Sequence, residues 1–263
     1  MIVDSHCHLD YPGLAEDEAG VVARAEAAGV GLMLTIATKR ETWPRVADLA
    51  ARHASVVAAV GVHPHEAGRE GLDDPAPLLA AAAEPKIVGI GESGLDYFYD
   101  YAPRDRQAVS FRTHIEAARS TGLPLIVHTR DADEDTMAIL EEEMGKGSFK
   151  GVVHCYSSSR RLAERAVALG FYLGIGGILT FRRSDELRAT VADMPLANLI
   201  LETDAPYLAP MPFRGKTNEP AYTVHTAKVL AEVKKVPLAE VEHATTENFF
   251  RLFDKAAGFR PTP

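Results

Sequence analysis

Short apolar runs alternate with helix-length amphipathic segments along the whole chain. That alternation is the sequence form of successive βα units feeding a parallel sheet. Eight runs read as strands, at residues 2–6, 32–37, 56–62, 87–91, 125–128, 151–155, 172–175 and 199–203. Between them helical periodicity covers residues 16–28, 42–53, 76–83, 105–121, 133–144, 159–169 and 184–192, with two further segments at 221–234 and 238–253. Gly29, Gly122 and Gly170 each follow the last periodic residue of a helix, where a left-handed cap is needed, and Pro44 stands near a helix start, where a missing N–H is tolerated.

Eight units in 263 residues come to about 33 residues each, the size of a βα unit in a (β/α)8 TIM barrel of roughly 250 residues. A doubly wound open sheet is the other α/β fold that the alternation allows. No Gly-, Pro- or Ser-rich linker divides the chain, so residues 1–263 are expected to form a single domain. The proline-dotted polar stretch 206–220 follows the eighth strand, where barrel loops build an active site.

Composition narrows the function more than the fold. With 46% hydrophobic and 25% charged residues the chain can bury a large core, which excludes a disordered or fibrous protein. Its 28 Lys and Arg stand against 37 Asp and Glu, a net charge of −9, the wrong sign for a broad basic face, so no stable binding of duplex DNA is expected. Catalysis on phosphate stays open, because bound metal ions reverse the local field inside an acidic protein. Cys7 and Cys155 are too few for a disulfide framework. The start MIVDSHCHLD has no basic segment leading into an apolar run, and no apolar stretch approaches the roughly 20 residues of a membrane span. A cytoplasmic protein without membrane association is the expectation.

His6 and His8 close the first predicted strand. Residues two apart on an extended chain point to the same side, so both rings can grip one ion while Cys7 points the other way. His63, Glu92, His128, His154 and Asp204 each fall within a residue or two of the C-terminal end of a different predicted strand. A parallel barrel brings those ends to one mouth, whereas unrelated core histidines would show no such phase relation to the strands. His6, His8, His128 and His154 with Glu92 and Asp204 suffice to hold two divalent ions at that mouth. Nitrogen and carboxylate donors suit Zn, Mn, Fe or Co and do not exclude Mg. Two ions roughly 3.5–4 Å apart activate a water and clamp the oxygens of a displacement at phosphorus, or polarise a carbonyl. Asp204 is the candidate to accept the water's proton, and Glu92, with two donor oxygens, can bridge the ions.

These residues lie in runs that resemble the TatD family of metal-dependent deoxyribonucleases: residues 4–10 (DSHCHLD), 61–65 (GVHPH), 91–97 (GESGLDY), 127–130 (VHTR), 154–157 (HCYS), 202–208 (ETDAPYL) and 214–220 (RGKTNEP). The resemblance spans residues 4–220 in family order. It implies a TIM barrel of the amidohydrolase type, a divalent metal site and hydrolysis of DNA, often from the 3′ end of single strands. By position it makes the same six residues ligands and adds His63, His65 and Arg130 as phosphate or substrate contacts. The sequence departs from the family pattern at Ser93, where an aliphatic residue is common, and at Ser157-Ser158, where Ser-Gly is common; neither touches a proposed ligand.

Other features carry blander alternatives. His53, His114, His225 and His243 fall in helical patterns and read as surface or satisfied helix histidines, and Cys155, by alternation, should face the helix layer as a buried thiol. Gly89, Gly91 and Gly94 match a dinucleotide-binding pattern, but no helix opens directly after them; they suit a backbone crowding past a metal site. Arg214 and Lys216 could hold a phosphate or simply be solvated. Tyr97, Phe98, Tyr99, Tyr101 and Phe181 could stack unpaired bases or pack their own loops. The expected activity is a 3′–5′ exonuclease on single-stranded DNA using two divalent ions, Mg, Mn or Zn. An amide or ester hydrolase or an aminoacyl-tRNA deacylase would use the same site, and a non-catalytic metal scaffold is the reading outside enzymes.

Overall fold

The computed structural model describes residues 1–261. Strands and helices alternate as β1 (Ile2–Cys7), α1 (Glu18–Ala27), β2 (Val30–Ala37), α2 (Trp43–Arg52), β3 (Val56–Val60), α3 (Ala67–Glu70), α4 (Ala76–Ala81), β4 (Ile87–Asp96), α5 (Arg104–Thr121), β5 (Leu125–Arg130), α6 (Asp133–Lys146), β6 (Gly151–Val153), α7 (Arg160–Ala168), β7 (Tyr172–Ile175), α8 (Asp185–Asp193), β8 (Leu199–Leu201), α9 (Thr223–Lys234) and α10 (Leu238–Leu252). The strands pair in sequence order, all parallel, and the sheet curls until its edges meet as a TIM barrel.

The period of two along the strands separates two apolar layers. Leu32, Leu34 and Ile36 of β2 join Val57 and Ala59 of β3 in one cluster inside the barrel, and Phe249 and Phe253, on and just beyond α10, plug it. The intervening Met33 and Ala37, with Val56, Ala58 and Val60, pack outward against helices through residues such as Val46 and Leu49 of α2. Helix ends follow local chemistry: α5 stops at Gly122, left-handed at φ 73°, and Ser159 caps α7 by accepting the Leu162 N–H.

Three strand ends near the donor residues depart from the sequence pattern. β4 does not stop at Gly91 but runs on to Asp96, pairing Ser93–Asp96 with Val127–Arg130 after a register shift. Glycine usually signals a break; here Gly91 and Gly94 adopt φ of 125° and 148°, and a Cβ at Gly94 would collide with the His128 carbonyl of β5. β6 and β8 instead end early, at Val153 and Leu201, which leaves His154 and Asp204 on the connections just beyond.

Closure of the barrel rests on a narrow seam. β1 and β8 share no ladder; Asp204 N–H donates to the His6 carbonyl at 2.9 Å and His8 N–H to the Ala205 carbonyl at 2.8 Å. The buried Asp4 carboxyl group, pushed up to about 8 by burial, reinforces them, accepting the Thr203 N–H at 2.9 Å and the Thr203 hydroxyl at 2.6 Å. Asp4→Ala therefore removes the acceptor of the buried His6 and Thr203 N–H groups and the shorter of the Thr203 hydroxyl's bonds, and should cost roughly 3 kcal/mol, a fall in melting temperature on the order of 10 °C by circular dichroism. A shift under 2 °C would show that the backbone bonds suffice.

Candidate metal centre

At the C-terminal mouth of the strands, donor atoms from six elements and connections converge on the Glu92 carboxylate of β4. Glu92 Oε2 lies 3.3 Å from His6 Nε2 and 4.0 Å from His8 Nε2. The two ring nitrogens are 3.3 Å apart and stand 3.7 and 3.4 Å from Asp204 Oδ1. Glu92 Oε1 faces the other way, 2.7 Å from His154 Nε2, 2.9 Å from His128 Nδ1 and 3.4 Å from His63 Nε2. One carboxylate thus divides the donors into two groups.

The residues fit divalent cations. Two donors each about 2.1 Å from one ion stand about 3.0 Å apart at a right angle and about 3.4 Å apart at the tetrahedral angle, and the spacings around Glu92, from 2.7 to 4.0 Å, bracket that range. The donors are imidazole nitrogen and carboxylate oxygen throughout. Imidazole nitrogens facing one another also gain more from a shared cation than from a single shared proton. His6, His8, Glu92, His128, His154 and Asp204, the six residues singled out from the sequence, all lie in this cluster; His63, expected to touch substrate, sits among the donors as well.

The cluster opens into a cleft of about 610 Å³ lined by, among others, Tyr11, Lys39, His65, Tyr99, Tyr101, Arg130 and Tyr207. His65 lies one residue past Pro64 with its Nε2 on Asp96 at 2.8 Å. Arg130 layers its guanidinium over Phe98 at 4.0 Å and Tyr99 at 4.8 Å. Arg214 and Lys216 are not among the lining residues; they lie over Phe181 and Phe213, at 3.9 and 5.8 Å. Cys155 also departs from expectation: it lines the cleft instead of facing the helices. The alternation rule holds only for extended backbone, and Cys155, beyond the end of β6, is left-handed at φ 47°. Burial keeps its thiol protonated.

The sequence model of the family described as TatD related DNase matches residues 3–254. The chain belongs to the TatD family. It is 43% identical over 256 residues to the metal-dependent hydrolase YcfH of Escherichia coli K12, with 96% of each chain covered. To the metal-dependent hydrolase YabD of Bacillus subtilis it is 38% identical over 253 residues, covering 96% of this chain and 99% of YabD. The crystal structure of YjjV, a TatD homologue from E. coli K12, superposes with a TM-score of 0.89 at 34% identity, covering 96% of this chain and 98% of YjjV. This TatD-family protein is a metal-dependent hydrolase.

Two carboxylates behind the TatD-family donors escaped the sequence reading. Asp96 Oδ2 takes up His128 Nε2 at 3.0 Å and His65 Nε2 at 2.8 Å, which orients His128 so that Nδ1 faces Glu92. Glu202 is buried behind His154, its Oε1 accepting the Cys155 N–H and standing 3.6 Å from His154 Nδ1. His154 Nδ1 and Glu202 Oε2 are both without partners. Gly174 makes room for this carboxylate, since a Cβ there would overlap it. For Asp96 the signal was available: it lies four residues from Glu92, hence on the same side of an extended chain; Glu202 lies beyond the end of β8, where alternation gives no guide. The premature end drawn for the fourth strand hid the first. His114 behaves as a satisfied helix histidine, accepting the Val62 N–H at 3.0 Å and donating to the Ser110 carbonyl at 2.6 Å.

Burial disfavours charge throughout the cluster, and pairing decides the outcome at each group. Burial would raise Glu92, but His154, His63 and His128 hold it well below the ordinary carboxylate value. Burial would likewise raise Asp204, and His8, His154 and His6 outweigh it downward. For His63 burial prevails and lowers the ring to about 4, so it is neutral at pH 7. His8, His128 and His154 are pulled above the imidazole value, against burial, by Asp204, Asp96 and Glu92 respectively with their neighbours.

A ligating imidazole must give up its proton. Since the raised rings keep theirs to higher pH than a free imidazole, Mn or Zn binding should release protons and weaken at least tenfold between pH 8 and pH 6. Titration calorimetry in buffers of different ionisation enthalpy checks this, and a flat affinity over that range would contradict it. Glu202→Gln removes the charge facing His154 Nδ1 and should weaken metal binding by about 10- to 100-fold with little change in melting temperature. Unaltered affinity would leave Glu202 only its bond to the Cys155 backbone.

Proposed function

We propose that this hydrolase is a deoxyribonuclease that shortens single-stranded DNA from its 3′ end by phosphodiester hydrolysis. The carrying observation is the composition of the cleft: in a chain of net charge −9, the donor cluster opens beside Arg130 and His65, with Lys39 at the rim paired to Glu66 at 3.3 Å. Cationic and imidazole groups there suit a phosphate that approaches the donors. The name of the matching family, TatD related DNase, points the same way.

His6, His8, Glu92, His128, His154 and Asp204 would hold two divalent ions, Mg, Mn or Zn. Such ions polarise a phosphoryl oxygen and ionise water near neutral pH. The side chains divide the remaining work by exposure. Asp204 keeps 14% of its side-chain surface open against 3% for Glu92, so Asp204 is the carboxylate that water reaches. Held ionised, it accepts the proton of the attacking water. Glu92 stays buried and fixes the two donor groups relative to one another. The Arg130 guanidinium can take two phosphate oxygens in parallel, and the neutral His63 ring, with His65 beside it, orients the phosphate from the β3 side of the cleft. Arg214, directed over Phe181, would reach only a longer strand.

An amide or ester hydrolase or an aminoacyl-tRNA deacylase is the second reading, favoured by the acidic composition, which suits a small substrate; the same donors would serve it. Metal-stripped protein reconstituted with Mg, Mn or Zn and given end-labelled single-stranded DNA separates the two. Stepwise loss from the 3′ end is expected, with Asp204→Ala lowering kcat by about 10²- to 10⁴-fold without unfolding the barrel. Arg130→Glu should raise KM for DNA at least tenfold while sparing any turnover of a neutral ester. Turnover of an ester or amide with no DNA cleavage by the fully metallated protein would overturn the nuclease reading.

A further inference from the structure

The cleft carries large aromatic rings at its wall, Tyr99, Tyr101 and Tyr207, with Phe98 beside them, and each keeps a large part of its surface open to solvent. Tyr99, Phe98 and Tyr101, on the connection after β4, are 43%, 54% and 68% exposed, and Tyr207 on the connection after β8 is 54% exposed. Rings that packed their own loop would be buried. Tyr99 and Tyr101 instead stack on each other at 5.2 Å and 17°, presenting a flat aromatic wall.

That wall is fixed in place before any ligand arrives. Asp96 Oδ1 accepts the N–H groups of both Phe98 and Tyr99 at 3.1 Å, while its Oδ2 holds His65 and His128. Tyr97 anchors the same stretch, its N–H on the Arg130 carbonyl at 2.9 Å and its hydroxyl on Asp135 at 2.8 Å. One carboxylate therefore sets the distance between the aromatic wall and a residue of the donor cluster. A single side chain spans the gap: the His65 ring is 5.2 Å from Tyr99, 4.9 Å from Tyr101 and 6.2 Å from His128. Across the cleft Tyr11 stacks on His8 at 4.6 Å and meets Tyr207 edge-on at 6.2 Å.

We propose that Tyr99 and Tyr101, with Arg130 beside them and Tyr207 opposite, form a subsite for one unpaired nucleobase of the nucleotide whose phosphate meets the donor cluster. The chemistry selects this occupant. Flat exposed rings next to a guanidinium recognise a π-face joined to an anion, and stacking of this kind accepts any base. The spacing also suits a nucleotide, in which one sugar separates base from phosphate. A base still stacked in a duplex cannot enter between rings, so the subsite selects frayed or single-stranded ends. The inference rests on the proposed action on DNA but is tested apart from it.

The test compares binding of dAMP and of deoxyribose 5-phosphate to the Mn-loaded protein by calorimetry; the two share a phosphomonoester and differ by the base. Stacking predicts that dAMP binds roughly 5- to 150-fold more tightly. Tyr99→Ala and Tyr101→Ala should remove most of that difference without altering the affinity for deoxyribose 5-phosphate, and Tyr101→Phe should keep it. On a single-stranded substrate the alanine variants should raise KM and leave kcat within about twofold. Equal binding of the two compounds, or binding of neither at millimolar concentration, overturns the subsite whether or not DNA is cleaved. Base-dependent binding without DNA hydrolysis keeps the subsite and removes the exonuclease reading.

Discussion

A carboxylate with almost no access to water must find its charge partners inside the protein. Glu92 meets that demand with imidazoles on both sides, His6 and His8 on one oxygen and His63, His128 and His154 on the other. The requirement reaches far into the fold. It obliges four other strands, or the connections just beyond them, to present histidines at one depth, and it obliges β4 to carry a charged residue through the crowded centre of the sheet. Gly91 and Gly94 are the local consequence, because a side chain at Gly94 would displace β5 and with it His128.

The second support of the site is the seam between β1 and β8. Its two backbone bonds involve His6, His8, Asp204 and Ala205, which are donor residues or their neighbour. Closing the barrel and assembling one half of the donor cluster are thus the same event. Asp4 and Thr203 lock it from within, so a change at the seam acts on the ligands as well as on stability. Asp204 sits there in the left-handed region at φ 58°, a conformation that residues other than glycine hold mainly where surrounding contacts enforce it.

Around this centre the cleft carries charge of both signs, with Lys39 paired to Glu66. The chain is acidic overall, yet Arg130 and Lys39 stand at the cleft, and Asp96 ties the donor cluster to the aromatic wall through opposite oxygens of one side chain. Aromatic wall and donor cluster are therefore held in register by hydrogen bonds to one side chain.

Most of the site was legible in the sequence for one reason: strand ends in a parallel barrel are also its mouth, so the chain positions of His6, His8, Glu92, His128, His154 and Asp204 already encoded their convergence. The alternation of apolar runs and helical segments determined the α/β class, and the count of eight units pointed to a barrel, while closure of β1 onto β8 against an open sheet was decided by the tertiary structure. Tertiary structure decided what depends on contacts between distant segments. It placed His63 among the donors, turned Cys155 into the cleft once the chain left β6, kept Arg214 out of the lining, and showed Asp96 and Glu202 behind His128 and His154. Local periodicity records which way a side chain points along its own strand; the partner across the barrel is set by closure and register, which no single segment contains.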